Sequence, residues 1–123
     1  MAAPTARILV VDDEAAIRLT LEQLLRRRGY HVTLASNGSD ALALIEAQPF
    51  DLLLLDYKLP GLSGLDVAVQ ARTLRPEAAI LILTGSSAIA GLPDAPGLEQ
   101  FDMLLKTASP QEVLERVATL LHA

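Results

Sequence analysis

Four short apolar runs, each closed by a residue able to carry chemistry, constrain this chain more than any other feature. Arg7–Val11 (RILVV) ends at Asp12-Asp13, and Asp51–Leu55 (DLLLL) ends at Asp56. Ala79–Leu83 (AILIL) ends at Thr84, and Met103–Leu105 ends at Lys106. Apolar runs this short and this continuous suit strands buried on both faces, as in a parallel sheet. A fifth run, His31–Ala35 (HVTLA), alternates in polarity and suits a strand at a sheet edge.

Helical patterns separate the runs. Ile17, Leu21, Leu24 and Leu25 follow helical spacing, and Gly29 is placed to end that helix. Arg26-Arg27-Arg28 then falls at a solvated helix C-terminus, where cations suit the helix dipole. Ala41, Leu44 and Ile45 mark a second helix that stops before Pro49. Leu65, Ala68 and Val69 mark a third, stopped by Pro76. The last helix has the clearest start: Ser109 as N-cap, Pro110 as first residue, Glu112 completing a capping box, then a stripe of Val113, Val117, Leu120 and Leu121. Residues 86–100 (SSAIAGLPDAPGLEQ) carry two prolines and two glycines, so a helix there is expected to be short or irregular. Strands alternating with helices imply right-handed crossovers and an α/β fold with helices on both faces of a parallel sheet. One domain over residues 1–123 is expected.

Hydrophobic residues make up 51% of the 123, but aromatics only 3%, so the core must be aliphatic. The absence of cysteine excludes disulfides and thiolate metal sites. A net charge of −5 argues against direct nucleic-acid binding, which needs a basic face. No apolar stretch approaches the roughly 18 residues needed to span a bilayer, and Met1–Arg7 lacks the hydrophobic region of a signal peptide. A soluble, cytoplasmic protein without membrane partners is expected.

Ligands of open parallel sheets bind at the carboxyl ends of the strands. That rule brings Asp12, Asp13, Asp56, Thr84 and Lys106 to one edge. Taken singly each has an ordinary explanation: a helix-capping acid, turn chemistry before Pro60 and Gly61, a loop threonine, a solvated lysine. Taken jointly, three carboxylates repel and call for a cation, and oxygen-only ligands favour a hard ion, with Mg2+ the natural choice. Lys106 adds a second positive charge and Thr84 a hydroxyl donor. Such a site suits phosphoryl transfer, where catalysis is mostly positioning and charge neutralisation. Asp56 could then be the nucleophile, forming an acyl phosphate.

The segments ILVVDDE, LLLLDYKLPGLSG, ILILTGS and LLK resemble the motifs of bacterial two-component response-regulator receiver domains, and the resemblance spans roughly residues 7–121. It implies a flavodoxin-like, doubly wound fold: a five-stranded parallel sheet of order 2-1-3-4-5 with five flanking helices, the fourth of them short or irregular here. It further implies that Asp12, Asp13, Asp56 and the backbone carbonyl of Lys58 hold Mg2+. By the same resemblance Asp56 is expected to accept phosphate from phosphohistidine, on a sensor histidine kinase or a histidine phosphotransfer protein. Thr84 is then expected to sense the phosphoryl group and Lys106 to pair with one of its oxygens. A homodimer is compatible with the family. By the same resemblance the domain is expected to be a signalling phosphoacceptor that assists its own phosphorylation and dephosphorylation, rather than an enzyme.

Three positions depart from the family pattern. Thr107 replaces the proline that usually follows the lysine in a cis peptide, so the Lys106–Thr107 bond is expected to be trans. Met103 replaces an aromatic that rotates on activation, and the fourth helix is poorly encoded. All three bear on output rather than on phosphorylation. The competing readings are a pseudoreceiver acting only as a protein-interaction module and an Asp-nucleophile hydrolase. Lys58 disfavours the hydrolase, which would carry an acid two residues after its nucleophile. A nucleotide-binding protein is disfavoured by the lack of a P-loop.

Overall fold

The structure, a computed structural model, describes residues 5–85, 97 and 100–122. Five strands, β1 (Arg7–Val11), β2 (His31–Ala35), β3 (Leu52–Asp56), β4 (Ala79–Thr84) and β5 (Asp102–Leu105), form one parallel sheet of order β2-β1-β3-β4-β5. The helices among the described residues are α1 (Ala15–Arg27), α2 (Gly38–Ala47), α3 (Gly64–Leu74) and α4 (Pro110–Leu121). The helix expected within residues 86–100 lies almost wholly outside the described residues. None of the four helices is long and apolar enough to cross a membrane.

The period-two geometry of a strand explains why the apolar runs are unbroken. Leu9, Val11, Leu53, Leu55, Ile80 and Ile82 point to one side of the sheet, where Ala41, Ile45, Val67, Ala68 and Ala71 of α2 and α3 cover them. Ile8, Val10, Leu52, Leu54, Leu81 and Leu83 point to the other, under Leu21 and Leu25 of α1 and Val113, Leu114 and Val117 of α4. β2 lies at the edge, as its alternation predicts.

Helix ends follow the sequence signals. Gly29 terminates α1 at φ +91°, a conformation that favours glycine. Asn37, Ser63 and Ser109 cap α2, α3 and α4, and the last two form capping boxes with Asp66 and Glu112. One helical phase differs from the expectation. The buried stripe of α3 runs Gly64, Val67, Ala68, Ala71, so Val69, about 200° around the helix from Val67, faces solvent at 54% exposure. The Lys106–Thr107 peptide is trans; no cis bond occurs among the described residues.

Candidate functional site

Four strand ends build the site, and the loop after β3 packs over it. β1 delivers Asp12, which is 1% exposed, and the exposed Asp13. β3 ends on Asp56, 2% exposed, and β4 ends on Thr84, 1% exposed. Lys106 follows β5 directly, its backbone N–H donating to the Thr84 carbonyl at 2.7 Å. That bond extends the β4–β5 ladder by one residue and turns the lysine toward the carboxylates.

The ammonium of Lys106 lies 2.8 Å from Asp56 Oδ2, 3.5 Å from Glu14 Oε1 and 3.8 Å from Asp12 Oδ2. One carboxylate oxygen from each of Asp12, Asp13 and Asp56 lies within 4.8 Å of the others. Burial pushes the Asp12 carboxyl above the usual carboxylate range. The N–H of Glu14 and Lys106 oppose this, while the charges of Asp56 and Asp13 reinforce it. Burial alone would lower Lys106, but its hydrogen bond to Asp56 and the charges of Asp56, Asp12 and Glu14 outweigh that and raise it.

Asp12 is held at three points. Its N–H donates to the Ala35 carbonyl (3.2 Å), its carbonyl accepts from Arg18 Nη1 (2.7 Å), and its Oδ1 accepts from the Glu14 N–H (2.9 Å). Its other carboxylate oxygen, Oδ2, is buried without a hydrogen-bond partner among the described residues. An orphaned buried oxygen beside two further carboxylates, with oxygen the only donor type, fits a hard divalent cation.

The β3–α3 loop packs tightly over Asp56. The Lys58 N–H donates to Asp56 Oδ1 at 3.3 Å, so the peptide after Tyr57 folds back over the carboxylate. Gly64 seats α3 directly on this turn: a Cβ there would meet the Asp56 carbonyl oxygen and sit 2.9 Å from Tyr57 Cα. The Thr84 hydroxyl donates to the Gly85 carbonyl at 2.7 Å and so engages its own loop rather than Asp56. Met103 packs half-buried against the α2–α3 side of the core, and Phe101 lies on that same side, buried, with the Arg72 guanidinium 4.1 Å from its ring centroid. No ring therefore occupies position 103.

Asp12, Asp13, Asp56 and Lys106 thus converge as the strand-end rule predicts, with Thr84 beside them on β4. Glu14 and Arg18 join them without having been singled out from the sequence. Their signal was available, because residues four apart share a helix face, and both stand at the start of α1.

The sequence profile of the response regulator receiver domain matches residues 8–118. The alginate biosynthesis transcriptional regulatory protein AlgB of Pseudomonas aeruginosa is 41% identical over 107 residues, 87% of this chain. The chain spans only 24% of AlgB's length. The response regulator receiver protein CpdR of Brucella abortus is 32% identical over 117 residues, covering 95% of this chain and 98% of CpdR. Among solved structures, the response regulator TrrA of Thermotoga maritima, in complex with Mg2+-BeF, has a TM-score of 0.84 at 37% identity and covers 95% of this chain and 100% of that one. A structure of the histidine kinase ThkA in complex with TrrA matches with a TM-score of 0.80 at 35% identity, covering 95% of this chain and 99% of that one. With the profile match over most of its length and CpdR aligned almost end to end, this chain belongs to the response regulator receiver domain family.

Proposed function

We propose that Asp56 accepts a phosphoryl group from a phosphohistidine, carried by a sensor histidine kinase or a histidine phosphotransfer protein, in a reaction that requires Mg2+. The observation that carries this reading is the surrounding of buried Asp56 by the Lys106 ammonium at 2.8 Å and by the carboxylates of Asp12 and Asp13. In the transfer the donor's P–N bond breaks as a carboxylate oxygen of Asp56 forms the new P–O bond. The imidazole leaves with the electron pair and takes a proton from solvent. Lys106 starts on Asp56 Oδ2 and needs only a small movement to pair with an incoming phosphoryl oxygen. Thr84 would turn its hydroxyl from the Gly85 carbonyl to the phosphoryl group.

Asp12, Asp13 and Asp56, with the Lys58 backbone carbonyl, would hold the cation. Bound there, Mg2+ supplies positive charge against the carboxylates and the phosphoryl oxygens. Beside Lys106, a cavity of about 250 Å3 opens between α1 and α4, lined by Ile17, Thr20, Leu24, Pro110 and Val113 among others. This apolar groove at the rim of the site suits a helix that presents the phosphohistidine.

Phosphoramidate carries the same kind of P–N bond and tests the chemistry without a partner protein. With Mg2+, 31P spectra of the protein should gain one acyl-phosphate resonance, and Asp56→Asn should lack it. A parent protein that stays unmodified while hydrolysing no donor would place the domain among interaction-only relatives instead.

A further inference from the structure

We propose that Arg18 is a positioning residue for the cation site, acting through the peptide that joins Asp12 to Asp13. The inference rests on the reading of Asp12, Asp13 and Asp56 as that site. α1 begins unlike the other helices. Its N-cap, Glu14, makes no side-chain capping bond, and no acidic side chain lies in its first turn. The chain entering α1 is held instead by the helix's own Arg18, which reaches back to the Asp12 carbonyl at 2.7 Å.

That carbonyl belongs to the Asp12–Asp13 peptide plane, and the orientation of a peptide plane fixes ψ before it and φ after it. Asp12 has two further anchors, at its N–H and at Oδ1. Asp13 is exposed, and no hydrogen bond or ion pair of its side chain to a described residue accompanies it. The direction of its Cα–Cβ bond therefore depends on the plane that Arg18 grips. Among the described residues no carboxylate lies within ion-pairing distance of Arg18. The guanidinium is thus committed to a backbone oxygen in a half-buried, charge-assisted bond.

Two effects of removing Arg18 oppose each other. Loss of a nearby positive charge favours a bound cation by relieving Coulomb repulsion. Loss of the grip on the peptide frees Asp13 and disfavours the cation, since outer contacts of this kind are worth about tenfold or more in metal affinity. The second effect wins.

The test is a Mg2+ titration of the 15N-labelled protein, followed by amide shifts, for the parent, Arg18→Ala and Arg18→Lys. The spectra report folding independently of binding. Arg18→Ala should weaken Mg2+ about tenfold, and Arg18→Lys, which keeps a cationic donor of similar reach, should recover most of that loss. Should Arg18→Ala unfold, Arg18→Met keeps the packing stem without the donor and carries the same expectation. In an Asp13→Asn background the effect of removing Arg18 should shrink, because its route to the metal is gone. Unchanged or tighter Mg2+ binding by a folded Arg18→Ala, beside a parent that binds, overturns the positioning role alone. A parent protein that binds no Mg2+ overturns this role together with the cation reading beneath it.

Discussion

At position 12 a carboxylate is 1% exposed, and only one of its oxygens accepts a hydrogen bond. Burial raises its pKa in the folded state above that of an ordinary aspartate. A group raised in this sense favours the fold fully below the unfolded pKa, and that contribution is lost as pH rises through the folded value. Without a divalent cation, the protein should therefore lose stability on going from about pH 4 toward neutrality through this residue. Asp12→Asn keeps the oxygen that accepts from Glu14 and removes the charge. In EDTA at pH 7 it should stabilise the protein, because the charge that burial disfavours is gone. Urea denaturation in EDTA and in Mg2+ reads this. The variant should unfold at higher urea in EDTA and lose the stabilisation that Mg2+ gives the parent. Equal or lower stability in EDTA would show that Asp12 is not strained by its charge.

Asp13 and Lys106 pull in opposite senses. Asp13 would offer the cation a ligand oxygen, whereas the Lys106 ammonium sits 2.8 Å and 3.8 Å from the carboxylates of Asp56 and Asp12 and would compete with the cation for them. Asp13→Ala should weaken Mg2+ binding, and Lys106→Ala should leave it equal or tighter. Calorimetric titration separates the two, and a clear loss of affinity in Lys106→Ala contradicts this division of roles.

Among the elements, the strands were the most legible. Their apolar runs are continuous because both faces are covered, so length and punctuation were enough to find them. Capping chemistry marked the last helix equally well, since Ser109 and Glu112 bond reciprocally as their spacing predicts. The phase of α3 was harder to read. Leu65, Ala68 and Val69 fit a helical stripe, but Val67, Ala68 and Ala71 are what the sheet covers, because close seating at Gly64 fixes the rotation of the helix. Spacing alone cannot tell such neighbouring stripes apart when alanines and valines occur on several faces. Gly64 also yields a prediction. Its missing Cβ is where α3 meets the backbone of Asp56 and Tyr57, and backbone cannot move aside as a side chain can. Gly64→Ala should destabilise the fold by about 2 kcal/mol, typical of overpacking, and should slow phosphorylation because the turn carrying Lys58 shifts with it. Urea melts read by circular dichroism check the first effect; stability within a few tenths of a kcal/mol of the parent would mean the turn relaxes freely.

Across the whole molecule, the site is a product of topology. Asp56 and Lys106 are fifty residues apart in sequence, and their ion pair exists because β3, β4 and β5 run parallel and end level. The strand-end rule made the gathering of Asp12, Asp13, Asp56, Thr84 and Lys106 legible before any coordinates. It could not show which lysine oxygen contacts form, that Thr84 turns to Gly85, or that Glu14 and Arg18 complete the surroundings. Those depend on side-chain direction and on the exact rotation of α1, which spacing leaves open. The same topology places the acidic cluster and the ammonium on one buried carboxylate, and the claim that this carboxylate is a phosphoacceptor stands or falls on that carboxylate alone. Intact mass spectrometry after incubation with acetyl phosphate and Mg2+ tests it most directly. A single phosphoryl group should be added, absent when EDTA removes the metal and absent in Asp56→Asn. An unmodified parent mass, or a phosphoryl group that persists in Asp56→Asn, would contradict it.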